Sequence, residues 1–412
     1  MKRLILMVCT AGFLLAGFPR FASGNPLKDT VSQFDELSKA VDLKQVADEI
    51  RKQAELTLKK QVLAQAKWAM QQKTITVTAD RSSRSAGGLH DFFSEGDYWW
   101  PDPKHIDSPY VQKDGMTNPE NFVAHRLAMI RFSEIIGALA SAYRLTGEEK
   151  YAKQAMVHLK AWFITEGTMM NPDLKFAQAI KGRFTGRGIG IIDTIQLMEV
   201  AQGVFVMSDV LDKEVLKGVK NWFSEYLNWL MTHPYGKKEM NAENNHGTCF
   251  VMQVASFAKL TGNQELLRFC SDRYKTVLLP NQMAADGSFP REMSRTKPYG
   301  YSVFNLDAMT TICQILSTPQ DNLWTFETAD GKSIRKGVEY FYPFVKDKSK
   351  WPLKPDVMHW DNWPVAQPFL IFAADAFQEQ DWLKTWQKLD HHPKVEEVIR
   401  NLPVRNPLIW LN

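Results

Sequence analysis

Apolar side chains recur at helical spacing along most of the chain. The clearest stripe consists of Val215, Val219, Trp222, Phe223, Tyr226 and Leu230. Its members recur every three or four residues, which is the period of one face of an amphipathic helix. Alternation typical of a strand is scarce and is clearest at residues 74–78. The pattern therefore predicts a mainly helical, all-α protein.

The ends of two predicted helices carry the same signal. One apolar run ends in Leu-Thr-Gly at Gly147, a second ends in Leu-Thr-Gly at Gly262, and a new amphipathic run follows each at once. A glycine after the last helical residue adopts the left-handed conformation that closes a helix. A further helix pair is predicted between them, at residues 191–231. Repeated pairs of antiparallel helices predict either an open solenoid or a closed toroid of inner and outer helices.

Two segments before this repeat differ from it. Residues 25–72 are rich in Lys, Gln, Ala and Glu, which favour helix, and they predict a helical extension packed on the outside of the main body. Residues 73–121 lose all periodicity and contain D-Y-W-W-P-D-P. A loop of this length in a compact domain is usually functional. Trp99 and Trp100 either stack on the sugar rings of a substrate or hold the loop against the core.

The chain begins with a basic start, an apolar run and the small residues Ala22, Ser23 and Gly24. This order is typical of a secretory signal peptide and is too short for a membrane span. We therefore predict a signal peptide over residues 1–24 and export to the periplasm or the medium. No later run approaches a transmembrane length. Residues 25–412 contain no Gly/Ser-rich or Pro-rich linker, which predicts a single domain.

The net charge limits the kinds of partner that the protein can bind, and the cysteines indicate whether it contains disulfides. Loss of Lys2, Arg3 and Arg20 with the signal peptide takes the formal net charge from +4 to +1. A nearly neutral surface provides no broad field for nucleic acid or acidic membranes, so a polyanion has to be bound in a local cleft. The cysteines of the mature chain, all in apolar helical runs, are Cys249, Cys270 and Cys313. They are predicted core residues, with a single disulfide as the alternative. We expect the mature protein to be a monomer.

Two polar stretches interrupt the apolar helical runs and carry the groups best suited to chemistry. The first is N-A-E-N-N-H-G-T at residues 241–248, and the second is P-R-E-M-S-R-T-K-P-Y-G-Y-S-V-F-N at residues 290–305. Together they provide amides, an imidazole, arginines and phenols. This set is able to hold a carboxylate, remove a proton from carbon and protonate a leaving oxygen. It favours a lyase that acts on a uronic-acid polymer.

Each candidate group has a role in such a reaction. Removal of the C5 proton of a uronate builds negative charge beside a carboxylate, and this charge has to be stabilised by donors. Asn245 and Arg295 are the candidates for this task, helped by the positive end of a helix predicted to begin at about Gly247. His246 is the candidate base. Tyr301 is able to protonate the glycosidic oxygen, or to act as the base once a nearby arginine lowers its pKa.

Each of these residues also has a structural interpretation. Asn244 or Asn245 is suited to be an ordinary helix N-cap. His246 fits a structural position at a helix start, and Tyr301 fits a half-buried aromatic position on an apolar run. Tyr299 is the competing phenol.

Further candidates lie outside the two stretches. Arg183 and Arg187 belong to the glycine-rich loop K-G-R-F-T-G-R-G-I-G-I-I-D, where they either bind a carboxylate near a helix N-terminus or face solvent. The order of the glycines excludes a dinucleotide-binding motif. His359 and Trp360 are either cleft residues or packing residues. The residues predicted to bind substrate are Trp99, Trp100, Arg187, Asn244, Tyr299 and His359.

The motifs resemble those of a known enzyme family. N-N-H followed by an apolar helix, then F-P-R-E-x-x-R, then Y-S-x-F-N-L-x-A-M is similar to the alginate lyases and related uronate lyases, in a consistent order over most of the mature chain. The resemblance implies an incomplete (α/α) toroid of paired inner and outer helices. It also implies that catalysis falls on Asn245, His246, Arg295 and Tyr301. The arginine-to-tyrosine spacing is six residues instead of seven, which keeps Tyr299 as an alternative acid. No appended β-sandwich is predicted.

The stereochemistry of the substrate decides how the two acid–base groups divide the work. If the proton and the leaving group lie on the same side of the ring (syn, as in mannuronate), Tyr301 serves as both base and acid. If they lie on opposite sides (anti, as in guluronate or glucuronate), His246 takes the proton and Tyr301 gives one.

The sequence gives weaker support to other classes of reaction. The chain has no H-E-x-x-H, no paired-cysteine spacing and no G-x-S-x-G, so we predict no cofactor and no metal. A glycoside hydrolase of an acidic polysaccharide would need two carboxylates, for which Glu243 and Glu292 are the candidates, with Asp97 or Asp361 as other partners. A non-catalytic glycan-binding protein would use the tryptophan loop and the arginines. The leading prediction is a polysaccharide lyase whose partner is an anionic polysaccharide such as alginate or a glucuronan.

Overall fold

The computed structural model describes the backbone at residues 26–105 and 107–411, and the side chains from residue 48 onward within those ranges. The signal peptide predicted at residues 1–24 lies outside the described residues. The chain divides into two compact units, Met1–Val46 and Ala47–Asn412. Only the start of a long helix is described in the first unit. The predicted domain boundaries stay a prediction, and the features below belong to the second unit, apart from the first part of that long helix.

Helices dominate the described residues, as the hydrophobic pattern predicts. The longer helices are α1 (Pro26–Ala69), α2 (Ala124–Thr146), α3 (Lys150–Phe163), α4 (Leu197–Val206), α5 (Lys213–Thr232), α7 (Asn245–Thr261), α8 (Gln264–Arg273), α11 (Pro298–Leu316), α12 (Ile334–Lys346), α13 (Pro368–Phe377) and α14 (Gln380–Lys388). The short ones are α6 (Pro234–Met240), α9 (Leu279–Gln282), α10 (Pro290–Met293) and α15 (Glu396–Arg400). A 3₁₀ helix at Gly188–Gln196 leads directly into α4.

The helices form two layers. The inner helices α2, α4, α7, α11 and α13 pack side by side in chain order. Their side chains are buried on nearly every face; α4, α7 and α13 are examples. The outer helices α3, α5, α8, α12 and α14 pack against the inner ones. The outer helix α5 buries the predicted apolar stripe and keeps polar residues on its other face.

Glycine ends two inner helices as the sequence predicts. Gly147 follows α2 with φ 71° and Gly262 follows α7 with φ 76°, so both adopt the left-handed conformation. Each glycine turns the chain directly into an outer helix, α3 or α8. The predicted pairing of antiparallel helices is therefore confirmed at both positions.

Strands are few and short among the described residues. Strand β1 (Phe93–Glu95) pairs in parallel with β4 (Phe176–Ala179). Strand β2 (Trp99–Trp100) pairs in antiparallel fashion with β3 (Val111–Gln112). The alternating residues near 74–78 form no strand but a 3₁₀ turn at Val77–Ala79, because the Thr76 hydroxyl caps it by accepting a bond from the Thr78 amide.

One later apolar stretch does reach a transmembrane length, so the prediction that none would is wrong, but this stretch is part of the core. Gly188–Val206 has a mean hydropathy of 1.4 over its most apolar window, which is enough to cross a membrane by length and composition, but 78% of that window is buried inside the protein. A core helix of a globular domain is typically buried to this degree. The described cysteines Cys249, Cys270 and Cys313 are buried and unpaired, which confirms their prediction as core residues.

The N-termini of α7 and α11 are both fixed by side chains. The side chain of Asn244 accepts a bond from the His246 amide and caps α7, which begins at Asn245, two residues before the predicted start. The carboxylate of Asp356 accepts the amide hydrogens of Tyr299 and Gly300 at 2.9 Å each and so caps α11. Both capped ends lie beside the same cleft.

Candidate active site

A small cleft lies where the N-termini of α7 and α11 meet the long loop that contains β2 and β3. Its volume is about 140 Å³. The predicted site residues that line this central cleft are Asn244, Asn245, His246, Arg295, Tyr301, Arg187 and Trp99. The others in its wall include Asp97, Tyr98, Asp114, Gln178, Arg400 and Asn401. A larger cavity of about 500 Å³ lies between residues 58–68 and 390–407 and contains none of the predicted site residues.

Asn245 is held in place by the carboxylate of Glu292. Its backbone amide donates to one carboxylate oxygen of Glu292 at 2.6 Å, and its side-chain amide donates to the other at 2.8 Å. Both residues are almost completely buried. Burial raises the pKa of Glu292, although the bonds from Asn245 and the charge of Arg295 oppose this. Since one amide hydrogen of Asn245 has no partner in Glu292, it is available to the cleft.

His246 is oriented by a second buried carboxylate. Its Nδ1 lies 2.5 Å from Oε1 of Glu239, which is 3% exposed and lies near the end of α6, just before the polar stretch. Because a carboxylate oxygen accepts hydrogen bonds, we assign the imidazole hydrogen to Nδ1. Nε2 is then the nitrogen with a lone pair available to accept a proton.

Arg295 is fixed by Asp114 and lies against Tyr301. Its Nη2 and Nε donate to the two carboxylate oxygens of Asp114 at 2.7 and 3.3 Å. Its guanidinium carbon lies 4.5 Å from the centre of the Tyr301 ring. The hydroxyl of Thr296 also donates to Asp114, at 2.8 Å. Burial opposes the charged form of Arg295, yet the bond to Asp114 raises its pKa overall.

Tyr301 and Tyr98 form a pair of phenols across the cleft. The hydroxyl of Tyr301 donates to the hydroxyl of Tyr98 at 2.8 Å. Burial, reinforced by Tyr98, raises the pKa of Tyr301 well above its ordinary value, and the charge of Arg295 only partly offsets this. Tyr301 is therefore protonated at neutral pH in the empty cleft.

Arg187 reaches the cleft from the glycine-rich loop. Its Nε donates to the backbone carbonyl of Gln178 at 2.8 Å, and its Nη2 lies 3.3 Å from the side-chain oxygen of the same residue. Gln178 itself has φ 47°, a left-handed conformation that is uncommon for a residue with a side chain. A Cβ at Gly186 would lie 1.9 Å from the carbonyl oxygen of Lys175. The loop thus needs glycine for its close approach to β4 and also presents Arg187 to the cleft.

Five charged residues form a chain beneath the cleft. Asp97 accepts from Arg126 at 2.7 Å and pairs with Arg400 at 3.0 Å, and Glu397 pairs with Arg400 at 3.5 Å and with Lys297 at 2.8 Å. Burial opposes the ionised form of Asp97, but the charges of Arg126 and Arg400 hold its pKa below the ordinary value. The five residues of this chain comprise three cations and two carboxylates, so the chain carries one positive charge in excess beside the cleft.

Three predicted substrate-binding residues lie outside the central cleft. Trp100 follows Trp99 in a strand and points to the opposite side, where its indole donates to the carbonyl of Met116 at 2.8 Å. Tyr299 is fully buried against Trp351 and Trp360, and its hydroxyl has no partner among the described residues.

His359 is the third predicted substrate-binding residue that lies outside the central cleft. It adopts a left-handed conformation with φ 64° and lines a separate cavity of about 10 Å³ that adjoins the cleft at Tyr301 and Asn401. Trp360, considered with it, packs edge-on against the Tyr299 ring.

The two carboxylates of the hydrolase alternative also lie apart from the central cleft. Glu292 is buried and bound to Asn245, and Glu243 is 71% exposed and pairs with Arg291. Neither of them lines the cleft.

Sequence reasoning missed several residues of the site. Tyr98 and Asp114 lie in the aperiodic loop, whose length alone indicated function. Glu239 and Arg400 gave no signal, because a carboxylate at a helix end and an arginine in a terminal helix are ordinary surface patterns. Within the described residues, no group of three or more His, Cys, Asp or Glu side chains is arranged to hold a metal ion.

Comparisons with known proteins place this chain in a family. The model of the alginate lyase family matches residues 76–351. The crystal structure of an alginate lyase from Bacteroides ovatus is similar, with 30% sequence identity, a TM-score of 0.76, and coverage of 89% of this chain and 97% of that one. A comparison with curated proteins gives no match.

More distant structures share the fold. Alginate lyase A1-III from Sphingomonas species A1 has 16% identity and a TM-score of 0.50, covering 78% of this chain and 88% of that one. A complex of alginate lyase A1-III with a tetrasaccharide has the same identity and coverage and a TM-score of 0.52. These likenesses support the (α/α) toroid predicted from the sequence. From the family model and the similarity to the Bacteroides ovatus structure, the chain belongs to the alginate lyase family and is a polysaccharide lyase.

Proposed function

We propose that the central cleft cleaves alginate or a glucuronan-like polymer by β-elimination. The observation that carries the proposal is that the side chains of Asn245, His246, Arg295 and Tyr301 line one cleft. The solved relatives are named alginate lyases, and a tetrasaccharide is bound to one of them. The elimination takes the C5 proton from a uronate and expels the oxygen at C4, which leaves a C4=C5 double bond.

Negative charge develops on the C5 carboxylate as the proton leaves, and the cleft offers several donors to it. Asn245 has one amide hydrogen beyond the one that Glu292 accepts. The positive end of the seventeen-residue helix α7 lies at the same place. Arg295 binds Asp114 through Nε and Nη2, and Nη1 is the donor group that we assign to the substrate carboxylate. Fixed donors of this kind stabilise the developing charge without having to reorganise.

His246 is the base for anti elimination. Glu239 fixes the imidazole so that Nε2 holds the free lone pair. The C5 proton moves to Nε2 and the imidazole becomes a cation. The ionised Glu239 at Nδ1 then stabilises that cation, as the buried carboxylate of a catalytic triad does.

Tyr301 is the acid. Its raised pKa keeps it protonated in the empty cleft, so it has a proton to give to the C4 oxygen as that bond breaks. Syn elimination requires Tyr301 to start in the ionised form, because it would have to lose its proton before it could take one from C5. The neighbouring charge of Arg295 lowers the cost of that ionised state. An anti substrate thus requires a protonated Tyr301 at the start of the reaction, and a syn substrate requires an ionised one.

The hydrolase alternative has less support. Two carboxylates would have to flank the scissile bond in the cleft. Glu292 binds Asn245, and Glu243 lies at the surface with Arg291. Asp97 lines the cleft but is paired with Arg126 and Arg400.

The sequence alone supports the proposals on location and assembly. We propose that residues 1–24 direct export to the periplasm or the medium and that the mature enzyme acts as a monomer. N-terminal sequencing of the exported protein and its mass in solution test these points.

The decisive experiment follows near-ultraviolet absorbance during incubation with polymannuronate, polyguluronate and glucuronan. The conjugated C4=C5 bond absorbs there, and hydrolysis does not form it. We expect absorbance to rise on at least one polymer, and the responsive polymer identifies the substrate. New reducing ends without a rise in absorbance would overturn the proposal in favour of a hydrolase, and binding without either signal would favour a glycan-binding protein.

A further inference from the structure

A second cavity opens beside the central cleft. It is lined by Glu243, Asn244, Arg291, Ser294 and Arg295 and has a volume of about 360 Å³. Asn244 and Arg295 also line the central cleft, so the two spaces share a wall. We call the second space the mouth cavity. Pockets for small ligands usually measure roughly 300–1,000 Å³, so a cleft of about 140 Å³ is too small to hold a sugar chain by itself.

The mouth cavity contains one arginine that the proposed reaction does not use. Arg291 lies four residues before Arg295, is 58% exposed, and pairs with Glu243 at 2.7 Å. Glu243 is itself 71% exposed. A pair between two solvated side chains adds little stability, so another carboxylate is able to replace Glu243 at small cost.

We propose that the mouth cavity is an additional sugar subsite, in which Arg291 binds the carboxylate of a uronate next to the one being cleaved. This inference rests on the proposed lyase function, since a polyuronate carries a carboxylate on every sugar. Arginine is suited to the task because its planar N–H groups match a carboxylate in two parallel bonds.

Glu243 acts as the competitor for this subsite. In the empty enzyme its carboxylate occupies Arg291, and an incoming uronate displaces it into solvent. Glu243 directly precedes Asn244, Asn245 and His246 in the chain, so the charge that opposes an acidic substrate lies beside the catalytic stretch. Removing Arg291 and removing Glu243 should therefore change affinity in opposite directions.

The test measures binding of saturated oligomannuronates and oligoguluronates, in a length series from disaccharide to octasaccharide, by titration calorimetry. All proteins carry Tyr301→Phe so that turnover does not consume the ligand. Arg291→Gln should raise the Kd of the longer oligomers about three- to fivefold, and Glu243→Gln should lower it about twofold, as expected for exposed charge pairs. The shortest oligomer that occupies the central cleft alone should bind all three proteins equally. The differences should shrink at high salt.

The control pair is Lys153 and Glu149 on α3, which are also exposed and lie 3.7 Å apart. Lys153→Gln and Glu149→Gln change the net charge by the same amounts and should leave every Kd unchanged. Equal affinity of Arg291→Gln and its parent for every length would overturn the subsite, as would an equal loss at every length. Failure of the lyase proposal is seen separately, because it requires the absence of unsaturated product from the enzyme without these substitutions.

Discussion

The hydroxyl of Tyr301 at the start of α11 donates a 2.8 Å hydrogen bond to the hydroxyl of Tyr98 in the long loop. A second link to the same loop joins Arg295, just before α11, to Asp114 at 2.7 Å. The loop is therefore tied to Arg295 and to Tyr301, the two residues on this side of the cleft to which the proposed elimination assigns roles. Because Tyr301 donates the bond, it holds its own proton, and Tyr98 serves as the acceptor in the empty enzyme.

Replacement of Tyr301 by phenylalanine tests its role as the acid. The ring and its contact with Arg295 remain, but the proton donor is lost, so kcat should fall by about 10²–10⁴-fold while oligosaccharide affinity changes little. Absorbance kinetics and calorimetry measure the two quantities. Tyr299→Phe is the matched control: its hydroxyl is buried and unpartnered among the described residues, so turnover should stay near that of the wild type. Wild-type turnover in Tyr301→Phe would refute the assignment.

Replacement of Tyr98 by phenylalanine tests the phenol pair. The Tyr98 hydroxyl contributes, after burial, to the raised pKa of Tyr301, so its loss should lower that pKa. A lower pKa means that Tyr301 loses its proton at a lower pH. The wild type should show no alkaline loss from Tyr301 over the pH range in which tyrosine ordinarily ionises, because its pKa lies well above that range. On an anti substrate Tyr98→Phe should begin to lose activity at lower pH than the wild type, whereas on a syn substrate its activity at high pH should rise relative to the wild type. An unchanged pH profile on both substrates would show that the bond has no influence on catalysis.

Replacement of Glu239 by glutamine tests the orientation of His246. Glutamine keeps the shape but carries no charge, so it stabilises the imidazolium less well, and kcat on polyguluronate or glucuronan should fall by about tenfold or more. His246→Ala should be severe on these anti substrates and milder on polymannuronate. In initial-rate measurements, both Glu239→Gln and His246→Ala should lose more activity on the anti substrates than on the syn substrate. Equal losses on syn and anti substrates would contradict the division of roles.

Replacement of Glu292 by glutamine distinguishes support of Asn245 from direct chemistry. Glutamine leaves one oxygen to accept a bond but meets the second Asn245 donor with an N–H group. We expect a loss of about 1–3 kcal/mol in the free energy of unfolding, since a buried donor becomes unsatisfied. Lyase activity should be reduced but measurable, whereas a hydrolase that used this carboxylate would be inactive. Denaturant unfolding and the absorbance assay together give the answer.

Much of the fold was predictable because its signals are local. Gly147 and Gly262 end helices through a conformation that glycine adopts at no steric cost, and the α5 stripe follows from helical periodicity alone. The pairs Asn245–His246 and Arg295–Tyr301 were found because each lies within one short stretch of sequence.

The rest of the site depends on contacts between distant parts of the chain. Asp114 meets Arg295 across 181 positions and Tyr98 meets Tyr301 across 203, and no periodicity encodes such distances. Helix geometry alone could have favoured one of the two candidate phenols. Tyr299 and Tyr301 are two residues apart on a helix, so they point to different faces and only one of them faces the cleft.

Replacement of Asp97 by asparagine tests the charged chain beneath the cleft. Its side chain is 5% exposed and its partner Arg126 is 2% exposed, so loss of the carboxylate leaves the buried guanidinium of Arg126 without its charged partner at a cost of about 3–5 kcal/mol, whereas Arg400 keeps its pair with Glu397. The native pKa of Asp97 lies below its unfolded value, so its contribution is complete above the unfolded pKa of about 3.9 and is lost as the pH falls through the native value. Stability of the wild type should therefore fall more steeply below pH ~4 than that of Asp97→Asn. Asp361→Asn, at an exposed aspartate, is the control and should leave the curve unchanged. Parallel curves for Asp97→Asn and the wild type, measured by denaturant unfolding across this pH range, would show that the buried chain does not depend on the charge of Asp97.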